Sequence, residues 1–150
     1  MKHSYIILII SILALWVSAC TKVDNTPSFP IEPAIKLVDI NHMEVVEFQD
    51  TLEIIIAYED GDGDLGNIDP DIPGLVVKDA RLTEPDSFHL QPLAPPGAQV
   101  SIQGELLIRL PQLFLLGNGM TEPTRFRIKL LDRAGHESNE IETPSIQIIR

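Results

Sequence analysis

Thr51-Leu52-Glu53-Ile54-Ile55-Ile56-Ala57-Tyr58-Glu59 carries the clearest pattern in the chain. Leu52, Ile54, Ile56 and Tyr58 alternate with Thr51, Glu53, Ile55, Ala57 and Glu59. Successive strand side chains point to opposite faces, so a period of two sets one apolar row against a core and leaves a more polar row outside. The same alternation recurs twice. Val100, Ile102, Leu106, Ile108 and Leu110 alternate with Ser101, Gln103, Glu105 and Arg109, and Phe126, Ile128 and Leu130 alternate with Arg125, Arg127 and Lys129. Ile35–Ile40, Met43–Phe48, Leu75–Leu82, Phe88–Gln91 and Glu140–Ile149 are weaker segments of this kind, the last interrupted by Pro144. Gly and Pro clusters at 60–74, 92–97, 117–119 and 134–135 separate them. From Ala34 onward no 3.6-residue period competes. The expectation is an all-β domain over residues 34–150, an antiparallel β-sandwich of about seven strands in two packed sheets.

Composition narrows the function. The chain has 150 residues, with 11 Lys and Arg against 22 Asp and Glu, a net charge of -11. Such a balance excludes a nucleic-acid binder that works by neutralising phosphates, and it disfavours an anionic membrane surface as a partner. The single Cys excludes a disulfide framework and any cysteine-based zinc or iron–sulfur site. His3, His42, His89 and His136 are scattered, with no two at metal-ligand spacing, and His136 reads as a solvated residue of a hairpin turn. No Gly-x-Ser-x-Gly elbow, Walker loop or His-Glu-x-x-His pattern occurs. Acid pairs such as Glu137 and Glu140 read as surface charges. No enzyme is expected.

The first twenty residues have a logic of their own. After Lys2 and His3, the run Ile6 to Val17 is apolar at every position except Ser11. A membrane-spanning helix needs about 20 apolar residues, so this run is too short and fits the apolar region of a secretory signal. Val17-Ser18-Ala19-Cys20 then resembles the lipobox of bacterial lipoproteins: an aliphatic residue, two small ones and a Cys. The resemblance implies that residues 1–19 are a signal peptide, and that Cys20 carries a covalent lipid on its thiol and an acylated amine. Several acyl chains, at about 0.8 kcal/mol per buried methylene, make such an anchor effectively permanent. Thr21 stands where an Asp would hint at inner-membrane retention, so the resemblance favours the outer membrane, with the periplasmic or surface face open.

Residues 20–33 join the lipidated Cys to the domain as a Pro-rich tether. Pro27, Pro30 and Pro33 remove donors and favour extended backbone. At about 3.1 Å per residue this segment reaches roughly 40 Å from the lipid. Part of it can instead pack as a leading edge strand, where Pro is tolerated. Removal of the signal leaves all 22 acidic residues with ten basic ones, no Trp, and Tyr58 as the lone Tyr, which its strand face assigns to the core.

Leu130-Leu131-Asp132-Arg133-Ala134-Gly135-His136-Glu137-Ser138-Asn139 resembles the last hairpin of bacterial immunoglobulin-like and fibronectin-like modules. Gly135 there can take positive φ and close the turn. With the Asp-Gly run near its start and this hairpin near its end, the mature chain is similar to Bacteroidota envelope lipoproteins carrying an immunoglobulin-like domain. That group implies a fold and a location, and brings no established activity.

Residues 59–71 hold six acids and no base. Gly61-x-Gly63-x-x-Gly66 matches the dinucleotide fingerprint by letter, but Asp62 and Asp64 would repel a pyrophosphate, and Pro70 and Pro73 interrupt the helix that fingerprint requires. Two readings stay open. In the first, carboxylates at alternating positions of a Gly-relaxed loop converge on Ca²⁺, which takes six to eight hard oxygens. Asp60, Asp62 and Asp64 have the 1, 3, 5 spacing of an EF-hand loop, with Asn67, Asp69, Asp71 or the distant Asp132 available to complete the shell. Leu65 at position 6, Asp71 at position 12 and flanking strands depart from that pattern. The closer likeness is to calcium loops at the ends of extracellular β-sandwich modules. In the second reading the run is a solvated acidic turn. The functional expectation is a non-enzymatic, lipid-anchored envelope protein, an interaction or spacer module whose partner is an envelope protein or a glycan. The alternative is a calcium-assisted glycan-binding accessory lipoprotein of a polysaccharide-uptake system.

Overall fold

The computed structural model describes residues 28–150, so the signal peptide, the lipobox with Cys20, and tether residues 20–27 lie outside the described residues. Ten strands follow one another: β1 (Ala34–Ile40), β2 (Glu44–Val46), β3 (Leu52–Asp60), β4 (Leu75–Asp79), β5 (Asp86–Phe88), β6 (Ile102–Leu110), β7 (Thr121–Thr124), β8 (Phe126–Leu130), β9 (Ile141–Glu142) and β10 (Ile146–Ile149). The fold is all-β, with no helix among the described residues. Three sheets form, in the orders β1-β3-β6, β2-β10-β7 and β5-β4-β8-β9. Their pairings are antiparallel except β10 with β2, which run parallel.

The alternating rows set the core. Leu52, Ile54 and Ile56 of β3 are fully buried, as are Ile128 and Leu130 of β8 and Ile146 and Ile148 of β10. Ile35, Val45, Leu65, Val77, Ile108, Leu110, Leu113, Leu115 and Phe126 complete one continuous cluster with them. Each such side chain contributes about 1.5–3 kcal/mol on burial. Phe126 is the one aromatic among its buried members, so the core is aliphatic. Tyr58 packs against the edge of this cluster as its strand face requires. Its register partner is Gly104, where a Cβ would stand 2.7 Å from the Tyr58 hydroxyl. Gly104 is the opening through which that ring lies flat on the sheet.

Ten strands in three sheets differ from the expected seven in two, for local reasons. Thr121-Glu122-Pro123-Thr124 has no apolar alternation, yet it forms β7 at the edge of its sheet. An edge strand leaves one side unpaired, so the missing N–H of Pro123 costs little there. Glu140–Ile149 divides on either side of Pro144, and its halves join different sheets: β9 pairs with β8, and β10 with β2 and β7. The strand expected over Phe88–Gln91 instead occupies Asp86–Phe88. Asn139 links two of the sheets. Its side-chain amide accepts from Ile35 N–H at 2.8 Å and donates to Ile35 C=O at 2.9 Å, standing in for a strand partner of β1.

Candidate metal centre

β3 does not stop at Tyr58. Counting by twos from Leu52 reaches Asp60, the last residue of the strand, paired with Ile102. Asp60 therefore inherits the inward face and is fully buried. The chain then turns sharply. Gly63 at φ 73° and Gly66 at φ 81° adopt the left-handed region that side chains with a Cβ avoid. Between these glycines Leu65 dives into the core, also fully buried. Its N–H donates to Asp60 Oδ2 at 3.2 Å. A buried leucine occupies the position where an EF-hand loop has glycine because here the loop is pinned from below by the core.

The hairpin after β8 pins the loop from the other side. Leu65 bridges Asp132 in antiparallel fashion. Ala134 N–H donates to Asp64 Oδ2 at 3.0 Å, and Arg133 N–H to the Asp64 carbonyl at 3.3 Å. The Arg133 guanidinium donates to the carbonyls of Gly66 at 2.9 Å and Gly63 at 3.4 Å.

This scaffold brings Asp60, Asp62 and Asp64 together, with a carboxylate oxygen of each within 4.8 Å of the others. Two oxygens on opposite sides of one Ca²⁺, each about 2.4 Å from it, are about 4.8 Å apart, so the trio fits around a single ion. The Oδ1 atom of each is buried and meets no hydrogen-bond partner among the described residues. Arg133, the neighbouring cation, directs its donors to backbone carbonyls.

Burial pushes the Asp60 carboxyl up; the Leu65 N–H pulls it down, and the charges of Asp62 and Asp64 raise it further. Asp64 is pushed up chiefly by burial, then by Asp132 and Asp62, against the lowering effect of the Ala134 N–H and Arg133. The Asp60 and Asp62 carboxyls can hydrogen-bond one another only if one takes a proton. A proton or a cation relieves the cluster, and at neutral pH a hard cation does so without protonating a carboxylate.

Asp79 shows how the same fold satisfies a buried carboxylate elsewhere. It too ends a strand, β4, on the inward face. Arg81 donates to it from Nε at 3.0 Å, from Nη2 at 2.6 Å and from its backbone N–H at 2.9 Å, and the Thr124 hydroxyl donates to its Oδ1. Burial would raise this carboxyl, but the Arg81 and Thr124 bonds outweigh it and hold it below the usual range. Asp60 has one backbone donor in place of that set.

The remaining sequence candidates divide. Asn67 Oδ1 accepts from Asp69 N–H at 3.0 Å, and Asp69 Oδ1 accepts from Asp71 N–H at 3.0 Å. Asp69 and Asp71 are exposed, and these side chains shape their own turn rather than join the trio. The acidic run is thus two structures: a cluster at 60–64, fully buried at Asp60 and half-buried at Asp62 and Asp64, and a more exposed turn at 67–71. Asp132 turns to its own hairpin, accepting from His136 N–H at 2.7 Å and facing His136 Nδ1 at 2.8 Å. His136 is accordingly not a free turn residue. Its bond to Asp132 and that carboxylate's charge raise its pKa. Gly135 takes φ 92°, as a tight hairpin needs.

Leu65, Arg133 and Ala134 were not singled out as contributors to this site by their sequence. Leu65 alone had a signal, as the one large apolar residue between Asp64 and Asn67. No protein-family model, curated protein sequence or solved structure matches the chain.

Proposed function

We propose that this chain is a non-enzymatic, lipid-anchored envelope protein. Its immunoglobulin-like or fibronectin-like sandwich is stiffened at one end by a calcium ion on Asp60, Asp62 and Asp64. One observation carries the metal reading: the fully buried Asp60 carboxylate has an oxygen with no donor, whereas Asp79, in the equivalent strand-end setting, is paired on both oxygens. Leaving a buried anion unpaired costs several kcal/mol, and a divalent cation removes that cost. The role is structural. Burial of the Asp60 oxygens and the pinning of Leu65 suit an ion that holds a loop.

Thermal unfolding in millimolar Ca²⁺ and in chelator tests the metal. A specific native-state ligand at 100 times its Kd adds about 2.7 kcal/mol, so the midpoint rises; an unchanged midpoint overturns the reading. The anchor rests on Val17-Ser18-Ala19-Cys20. Cys20→Ala releases the protein from the membrane fraction; a variant that stays in the pellet after a carbonate wash refutes lipidation there.

A second reading, the calcium-assisted glycan-binding accessory lipoprotein, has one observation in favour of its ligand surface, at the Leu52 end of β3, opposite Asp60. Phe48 is 67% exposed, takes φ 59° and stacks on Phe114 with centroids 5.8 Å apart and planes 3° from parallel. A bulky residue held at positive φ is strained, and such strain gathers at binding sites. Phe114 also lines a groove of about 350 Å³ with Phe88, Leu82 and Leu116. A glycan array probed with and without Ca²⁺ separates the two readings: sugar binding favours this one.

A further inference from the structure

Gly61 lies between two members of the acidic trio, and the last tether residues rest on it. A Cβ on Gly61 would stand 2.3 Å from the Phe29 carbonyl oxygen and 2.5 Å from that of Pro30. Backbone meets backbone there, with no side chain between. Ser101 closes the contact. Its hydroxyl accepts from the Ser28 N–H at 2.9 Å and donates to the Gly61 carbonyl at 2.9 Å. Next door, a Cβ on Gly63 would stand 2.4 Å from the Val100 carbonyl oxygen. The loop that carries the carboxylates is thus also the surface on which residues 28–30 dock.

We infer that cation binding and tether docking are one coupled event: an ion on Asp60, Asp62 and Asp64 clamps residues Ser28–Pro30 to the domain. This rests on the calcium reading and adds its consequence. An ion bound by Asp60 and Asp62 fixes the backbone of Gly61 between them. With Gly61 fixed, its carbonyl keeps the Ser101 hydroxyl oriented, and that hydroxyl holds the Ser28 amide. Without the ion, mutual repulsion of the carboxylates works against the backbone geometry the tether needs. Linkage makes the coupling reciprocal, so docking of the tether raises cation affinity by the same factor. For a lipid-anchored protein the consequence is mechanical. In the bound state residues 28–30 lie against the domain; in the ion-free state they come away from it, and the domain gains reach and orientational freedom above the membrane.

Hydrogen exchange on the full chain in detergent, in millimolar Ca²⁺ and in chelator, tests the coupling. The expected result is about tenfold slower exchange at the Ser28 amide, the one held by Ser101, when Ca²⁺ is present, within the usual range of coupling between sites. Ser101→Ala removes both bridging hydrogen bonds and leaves the three carboxylates intact. That variant should still gain thermal stability from Ca²⁺, with affinity lowered several-fold, and should lose the calcium-dependent protection of the Ser28 amide. If Ca²⁺ raises the wild-type midpoint yet exchange at the Ser28 amide is the same in both conditions, the coupling is wrong and the metal site stands. If Ca²⁺ neither raises the midpoint nor slows exchange, both are wrong. The wild-type comparison decides the matter even if Ser101→Ala folds poorly.

Discussion

Asp60→Asn changes the sign of its effect with the metal. Asn keeps the volume of Asp60 and an oxygen to accept the Leu65 N–H, and it deletes one of three converging charges. Two unit charges 4.8 Å apart repel by about 0.9 kcal/mol in water and about 3.5 kcal/mol at an effective dielectric constant of 20. Asp60 faces two such partners, both partly exposed, so relief falls toward the lower end, about 2–3 kcal/mol in all. Exchanging a charged acceptor for a neutral one at the Leu65 N–H returns about 1 kcal/mol of that. In chelator the variant should therefore be more stable than the wild type by about 1–2 kcal/mol, or about 5 °C for a domain of this size. In Ca²⁺ at 100 times the wild-type Kd, the wild type gains about 2.7 kcal/mol. A variant bound about a hundredfold more weakly gains about 0.4 kcal/mol by the same relation. The order of stability inverts between the two conditions. Urea titration followed by circular dichroism, with equal slopes for both proteins, measures each difference directly. If Asp60→Asn is the less stable protein in chelator, the carboxylate is held by favourable contacts and the electrostatic reasoning fails.

Two further outcomes follow from the same geometry. Asp79→Asn leaves the guanidinium of Arg81, 10% exposed, with Glu122 at 3.5 Å in place of the bidentate carboxylate, at a cost of about 3 kcal/mol at neutral pH. Because the folded Asp79 carboxyl sits below its ordinary value, its contribution is complete above about pH 4 and fades as pH falls further, so the gap between wild type and variant should close in acid unfolding curves. Leu65→Ala should cost about 2–5 kcal/mol as a buried truncation, and should weaken Ca²⁺ binding although residue 65 supplies no ligand, because its packing sets the loop between Asp60 and Asp64. Calorimetric titration of the variant with Ca²⁺ checks the second effect, and unchanged affinity contradicts it.

Much of the fold was legible because strand alternation is a local property. The inward row of β3 can be counted from Leu52 without reference to any other segment, and the structure buries Leu52, Ile54, Ile56 and Asp60 as counted, with Tyr58 half-buried at the cluster's edge. That count also reaches Asp60, so the burial of one ligand candidate was within reach of the same arithmetic. The strand at Thr121–Thr124 was not legible, since a short edge strand carrying Pro123 depends on β10 for its pairing and not on its own pattern. The sheet change at Pro144 was half legible: Pro announces a break, while the destination of each half depends on which partner strand has a free edge.

Within the acidic run, Asn67, Asp69 and Asp71 looked equivalent to Asp60, Asp62 and Asp64. All six belong to one polar, Gly-rich stretch, and nothing in their spacing separates a buried carboxylate from a solvated one. The division comes from Leu65, which the core takes in, and from the hairpin at Asp132–Ala134, which returns about seventy residues later to hold Asp64.

The sequence by itself determined the all-β class, the inward rows of the main strands, the resemblance to a lipobox at Val17–Cys20 and the acidic character of the chain, because each is written in neighbouring residues. Only the tertiary structure decided which carboxylates meet, which one finds an arginine and which does not, and that residues 28–30 lie on the loop between them. Those outcomes depend on backbone approaches between segments far apart in the chain, closer than any Cβ would permit at Gly61 and Gly63, and no local pattern encodes the distance between two segments that meet only on folding.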